Sequence, residues 1–338
     1  MVRLKDIAQL TGVSVMTVSK ALRDAPDVST ATKAKIKALA QQLGYVPDSS
    51  AQGLRTKTTK LFGLVIPATT NPVYARVVFA VGERAFELGY DVLIAQTLNQ
   101  AEREEACLRR LLSRRVDGIF ITPVYRSEAE AQIYREIVAR KIPTVVLGPP
   151  ASFCKNFVSI EIEELAASYN VTKHLFDLGH KKIAYLTGPP AAPWAHERFE
   201  GYRRAHREAG LEVDDKLVFA AGSTLEDGTK AALQMFNEGC HPTAIQAVND
   251  QVAIGAAETL LQQGIKIPGD ISIAGFGNIL AAEFYRVPLT TISQPKYRLG
   301  QAAVETMISL IRGEKAASRR LPAELIVRQS TAAPKSGS

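Results

Sequence analysis

The sequence predicts an α/β protein: a three-helix N-terminal head, then a body of two doubly wound parallel-sheet lobes. Three observations carry that prediction. Residues 1–45 show helical apolar spacing in three short blocks, with no strand-like alternation. From residue 61 onward, short apolar runs alternate with longer amphipathic stretches, as in strands joined by helices. Charge is also divided unevenly, with ten Lys/Arg against four Asp/Glu in residues 1–60 and 31 against 30 in residues 61–338.

In the head, Leu4, Ile7, Ala8 and Leu10 form a first apolar stripe, and Gly12-Val13-Ser14 ends it. Val15, Val18, Ala21 and Leu22 form a second stripe. Ile36, Leu39, Ala40 and Leu43 form a third, with Ser29 as its N-cap and Gly44 as its stop. Ala8, Gly12 and Val18 stand at helix-turn-helix offsets: a small residue for close packing, a glycine for the tight turn, a β-branched residue between the helices. Ser14 caps the second helix. Val15, Met16, Thr17, Ser19 and Lys20 then occupy its outward half, where hydroxyls, a lysine and apolar tips can meet phosphates and base edges. The basic excess on the same segment is the electrostatic signature of a nucleic-acid-binding module.

The body strands are expected at Leu61–Ile66, Asp91–Ala95, Gly118–Ile121 and Thr144–Leu147, then Lys182–Leu186, Leu217–Ala220, Ala244–Val248 and Ile271–Ala274. Helical stretches such as Val73–Leu88, Glu102–Arg115 and Leu165–Leu178 separate them. Eight or more strands over some 270 residues suit two lobes better than one. The chain closes on a short polar tail, Pro334-Lys-Ser-Gly-Ser.

Several classes are excluded. With 46% apolar and 22% charged residues the chain is not disordered, and no apolar run approaches a membrane span. The start, charged and then amphipathic, is not a signal peptide. Cys107, Cys154 and Cys240 stand far apart, against a disulfide framework or thiolate metal site. No cofactor is expected. Gly275-Phe-Gly277 follows an apolar strand but lacks the third glycine of a dinucleotide fingerprint, and Leu280 stands there. Walker, HExxH and GxSxG motifs are missing, so an enzyme is not expected. His180 reads as a turn residue, and His196 as either a cleft or a surface residue.

With these residues in view, the chain resembles the LacI/GalR family of bacterial transcriptional regulators. In the head the resemblance rests on Leu4-Lys-Asp-Ile-Ala, Gly12-Val-Ser, Thr17-Val-Ser-Lys, Val28-Ser, Thr32 and Leu43-Gly-Tyr-Val-Pro47. In the body it rests on Asn71-Pro-Val-Tyr74, Gly179-His-Lys-Lys-Ile-Ala184, Arg198-x-x-Gly-Tyr202, Asn249-Asp-Gln-x-Ala253, Pro268-x-Asp-x-Ser272, Gly275-Phe276 and Leu289-Thr-Thr-x-x-Gln-Pro295. The resemblance implies a head at 1–46, a hinge helix and linker at 47–60, a two-lobed effector and dimerisation domain at 61–330, like a periplasmic sugar-binding protein, and a tail at 331–338. It further implies a cytoplasmic, nucleoid-associated homodimer on an operator in double-stranded DNA, under control of a small carbohydrate-like effector.

The same resemblance assigns residues. Thr17, Ser19, Ser29 and Thr32 match phosphate-anchoring positions, Val15, Met16 and Lys20 match base readers, and Tyr45 falls in the matched run. Ala51 and Leu54 match the hinge face that enters the minor groove, and Gly53 predicts a hinge that folds only on DNA. Tyr74, Trp194, Arg198, Asn249 and Gln294 match effector positions, although Tyr74 and Trp194 also fit as lobe-core aromatics. Gly148 and Gly277 stand where sugar binders of the family place acids, and Ser223 where an aromatic is common. These departures predict a roomy, net positive pocket for an extended or anionic carbohydrate derivative. The alternative is a DNA-binding regulator that has lost its small-molecule response; a solute-binding protein or NAD-type oxidoreductase lacks its own discriminating features.

Overall fold

The computed structural model describes residues 2–46, 58–128 and 130–335. The chain divides into two compact units, Met1–Thr59 and Lys60–Ser338.

The first unit holds helices α1 (Leu4–Thr11), α2 (Val15–Leu22) and α3 (Thr30–Gln42). Its small core is Ile7, Ala8, Val18, Ala21, Val28, Ile36 and Ala40. Gly12 ends α1 at φ +74°, in the left-handed region that glycine enters without steric penalty. Leu10 departs from its predicted stripe and is 62% exposed. Thr11 takes the inward place instead, its hydroxyl donating to the Ile7 carbonyl at 2.6 Å.

In the second unit β1 (Leu61–Ile66), α4 (Pro72–Glu87), β2 (Asp91–Gln96), α5 (Ala101–Ser113), β3 (Gly118–Ile121), α6 (Gln132–Ala139), β4 (Thr144–Leu147) and β5 (Val158–Ile162) build the first lobe. Next come α7 (Glu164–Asp177), β6 (Ile183–Thr187), α8 (Pro193–Glu208), β7 (Val218–Ala220), α9 (Leu225–Asn237), β8 (Ala244–Ala247), α10 (Asp250–Gln262), β9 (Ser272–Ala274) and α11 (Leu280–Phe284). The chain ends with β10 (Thr291–Ser293), α12 (Lys296–Ile311), β11 (Arg319–Leu321) and β12 (Glu324–Ile326).

Two parallel sheets result. The first has the order β11-β5-β4-β3-β1-β2 and the second β7-β6-β8-β9, with a β10-β12 antiparallel pair beside it. Apolar strands such as Phe120, Val145 and Ile160 in one lobe, and Leu186, Ile245 and Ile273 in the other, are covered by helices on both faces. The chain passes between the lobes three times: after β5, between β10 and α12, and between β11 and β12. Helices α7 and α8 pack closely because Gly201 has no side chain; a Cβ there would lie 2.4 Å from the Leu165 carbonyl oxygen. That close approach seats Arg198, one turn earlier on α8, against the start of α7.

Strands β5, β10, β11 and β12 lie outside the apolar runs that mark the other eight. In β5 the sequence Val-Ser-Ile-Glu-Ile carries Ser159 and Glu161 inward, where the two side chains hydrogen-bond each other at 2.5 Å. Strand β11 is Arg-Arg-Leu at a sheet edge, with no apolar run to mark it.

Candidate functional site

The head presents α2. Ser14 precedes it in extended conformation and its hydroxyl accepts the Thr17 amide proton at 3.1 Å, satisfying one of the free donors at the helix start. The Ser14 and Thr17 hydroxyls also meet each other at 2.9 Å. Ser29 and Thr32 repeat the arrangement at α3, with 3.2 Å from the Thr32 amide and 2.8 Å between hydroxyls. Both pairs are thus ordered by the helix ends that present them. Val15 and Met16 project outward, Met16 at 64% exposure, and Ser19 and Lys20 are partly exposed on the same helix. An outward Met on a polar helix face has no core to fill here, so its surface is available to a partner.

Lys20 is paired with Asp27, whose carboxyl it holds below the ordinary 3.8. Tyr45 packs against the head core. Ala51 and Leu54, with the rest of the predicted hinge at 47–57, lie outside the described residues.

The body contains a cavity of about 300 Å³, lined from both lobes. All five predicted effector residues line it: Tyr74 from α4, Trp194 and Arg198 from α8, Asn249 at the cap of α10, and Gln294 on the second crossing. Burial pushes the Tyr74 hydroxyl up to about 12, so it remains a neutral phenol at neutral pH. Asn249 accepts the Val252 amide at 2.8 Å and donates to the Ser223 carbonyl at 3.0 Å, which fixes its amide plane. Gln294 is 8% exposed, and its amide makes no side-chain hydrogen bond among the described residues. Its amide lines the cavity, where it can donate to and accept from a polar ligand.

Arg198 is placed differently from expectation. Its Nε donates to Glu164 Oε2 at 2.7 Å and its Nη1 to the Val248 carbonyl at 2.6 Å. The guanidinium lies 3.6 Å from the Phe276 ring centroid and 4.8 Å from that of Trp194. Burial pushes the Glu164 carboxyl upward, opposed chiefly by Arg198. The predicted net positive pocket is therefore corrected. Glu164, first residue of α7 and itself on the cavity wall, matches the arginine charge.

The two glycines also have local causes. Gly148 lines the cavity at φ +105°, a backbone that a carboxylate side chain rarely adopts. Gly277 has φ +138°, does not line the cavity, and a Cβ there would sit 3.3 Å from Asp250 Oδ2. An acid at 277 would thus face the buried Asp250, whose carboxyl burial already raises.

Residues that the motifs did not supply include Glu164, Thr122 and Tyr125, and Asn71, which opens a quoted motif without an assigned role, lines the cavity too. Asn71 caps α4 by accepting the Val73 amide at 3.0 Å, and Tyr125 donates to the Pro149 carbonyl at 2.8 Å. The signal for Glu164 was present in the acidic pair that opens a helix straight after Ile162, one element before Arg198. What the wall offers is aromatic faces, amides, phenols and one neutralised ion pair. Such a wall suits an uncharged polar ring. Among the described residues no group of three or more His, Cys, Asp or Glu is placed to hold a metal ion. No helix among them is long and apolar enough to cross a membrane.

Residues 3–48 match the model for bacterial regulatory proteins of the lacI family, and residues 172–331 match a periplasmic-binding-protein-like domain. The HTH-type transcriptional regulator DegA of Bacillus subtilis is 33% identical over 96% of this chain and 97% of its own length. The HTH-type transcriptional repressor PurR of Photobacterium profundum is 33% identical over 98% of each chain. Among solved structures, a lac repressor dimer bound to operator and the anti-inducer ONPF superposes with a TM-score of 0.88. It shares 29% identity over 98% of this chain and 99% of that one.

Proposed function

The chain belongs to the lacI family of bacterial regulatory proteins and is a DNA-binding transcriptional repressor of that kind, and from this premise we propose how it works. It binds a roughly palindromic operator as a homodimer, and an uncharged saccharide of one or two rings, held between the lobes, changes its operator affinity. The single observation that carries the proposal is the cavity, which Tyr74, Trp194, Arg198, Asn249 and Gln294 line together from both lobes. A ligand that touches both lobes changes their relative free energy, and only such differential affinity can alter a distant site.

Phosphate anchoring falls to Thr17, Ser19, Ser29 and Thr32, base reading to Val15, Met16 and Lys20, with Ser14 and Tyr45 fixing the frame. The hinge at 47–60, with Ala51 and Leu54, is assigned to the minor groove. Dimerisation is supported by large exposed apolar side chains in both lobes, Phe86 on α4 and Leu280 and Phe284 on α11. A two-fold dimer demands an inverted repeat in the DNA. The protein is assigned to the bacterial cytoplasm.

The test is selection from a random duplex pool, then titration of the selected duplex with neutral mono- and disaccharides. An inverted repeat whose bound fraction shifts with a saccharide is the expected result. Recovery of no inverted repeat would sink the operator assignment. An inverted repeat that no saccharide affects would leave a ligand-independent repressor.

A further inference from the structure

The first lobe gathers basic residues at one end of its strands. At the amino-terminal end of its sheet, Arg114 and Arg115 follow α5, Arg140 and Lys141 follow α6, and Arg312 and Lys315 follow α12. Lys60 leads into β1 at the same end, and all seven side chains are exposed. Only Asp117 and Glu314 oppose them within these turns. Arg140 and Arg312 pair with the carboxylates of Glu136 and Glu314, at 2.6 and 4.0 Å, whereas Arg114, Lys141 and Lys315 form no ion pair among the described residues.

Basic residues after a helix commonly answer the negative end of its dipole. That explanation fails here, because the second lobe has the same helix ends without the charge. Its four helix-to-strand turns, residues 178–182, 209–217, 238–243 and 263–271, hold four Lys/Arg against five Asp/Glu. Nor does it reflect a basic body, since residues 61–338 are almost balanced. The positive charge is concentrated on one end of one lobe, and the chain that carries the helix-turn-helix enters the body there, at Lys60.

We propose that this end of the first lobe is a second DNA contact, binding the phosphate backbone that flanks the site read by the head. The inference rests on the DNA-binding role proposed above and adds a surface to it. It is a positioning contact, without base preference, because lysines and arginines on separate turns can meet phosphates but not a groove pattern.

The experiment compares Arg114→Ala/Lys141→Ala/Lys315→Ala with Lys181→Ala/Lys216→Ala/Lys266→Ala, which removes equal charge from the second lobe. Both are titrated by fluorescence anisotropy against the duplex that the wild-type chain selects. One version ends at the site and another extends about 12 base pairs beyond it on each side. On the extended duplex the first variant should bind about tenfold more weakly, with a salt slope shallower by about one or more. On the short duplex it should match the wild type, and the second variant should match it on both. Equal affinity and slope for the first variant and wild type on the extended duplex would overturn the contact, as would an equal loss in the second variant. If the wild type selects no duplex, the DNA-binding role fails and the contact with it.

Discussion

Two cations that the sequence marks for function, Lys20 in the head and Arg198 in the body, both sit beside a carboxylate. The pairs differ in burial. The Lys20 and Asp27 side chains are 40% and 53% exposed, whereas those of Arg198 and Glu164 are 7% and 6% exposed. An exposed pair is screened by water and salt and is readily exchanged, so Lys20 can leave Asp27 for a phosphate or base. A buried pair with further hydrogen bonds cannot be opened without stranding a charge. Arg198 is therefore part of the wall that shapes the cavity, while Lys20 remains available to a partner.

The largest effect should come from breaking the buried pair on one side. Arg198→Met or Glu164→Gln alone should destabilise the body by about 3–5 kcal/mol, and the double variant should recover most of that loss. Urea unfolding of the three proteins checks it. Two single variants as stable as the wild type would place Arg198 back among freely available ligand groups.

A smaller loss is expected where the recognition helix is ordered rather than charged. Ser14→Ala should cost the head about 1 kcal/mol, read as an earlier thermal transition of the head. Asp27→Asn should leave head stability nearly unchanged and raise DNA affinity a few-fold at low salt, because Lys20 then has no competitor. A large loss of head stability in Asp27→Asn would show that the two pairs are not different in kind.

Acid titration separates the pairs by sign. Lys20 holds the Asp27 carboxyl below its ordinary 3.8, so that pair's stabilisation is complete above that pH and fades as pH falls through the lowered value. Burial holds Glu164 above its ordinary 4.5, so the folded body keeps a proton that the unfolded chain has released. Its contribution therefore declines as pH rises from 4.5 to the raised value. Chemical unfolding of the wild type and Glu164→Gln between pH 4 and 7 should show a shallower decline in the variant, which keeps only the contribution of other raised carboxyls such as Asp250.

The sequence revealed the architecture wherever one residue type carried a local cause. The apolar runs of β1, β3 and β4, the Ser14 and Ser29 caps and the Gly12 turn were all legible. Relations between distant residues were not. Ser159 and Glu161 are buried in β5 because they satisfy each other, and Arg-Arg-Leu becomes β11 because an edge position accepts it. At the cavity, motif spacing supplied Tyr74, Trp194, Arg198, Asn249 and Gln294 but not Glu164, thirty-four residues from its arginine. Without that carboxylate the pocket reads as positive; with it, the charge closes on itself.

Trp194, the only tryptophan, reports on this point directly. Its ring faces the cavity beside Arg198, so a ligand entering there must change its emission. The decisive measurement is an emission titration with neutral mono- and disaccharides and with the uronates and sugar phosphates derived from them. A charge-matched cavity predicts that a neutral sugar shifts the emission and that its anionic derivatives bind more weakly. A uronate or sugar phosphate that binds more tightly than its neutral parent would contradict the account.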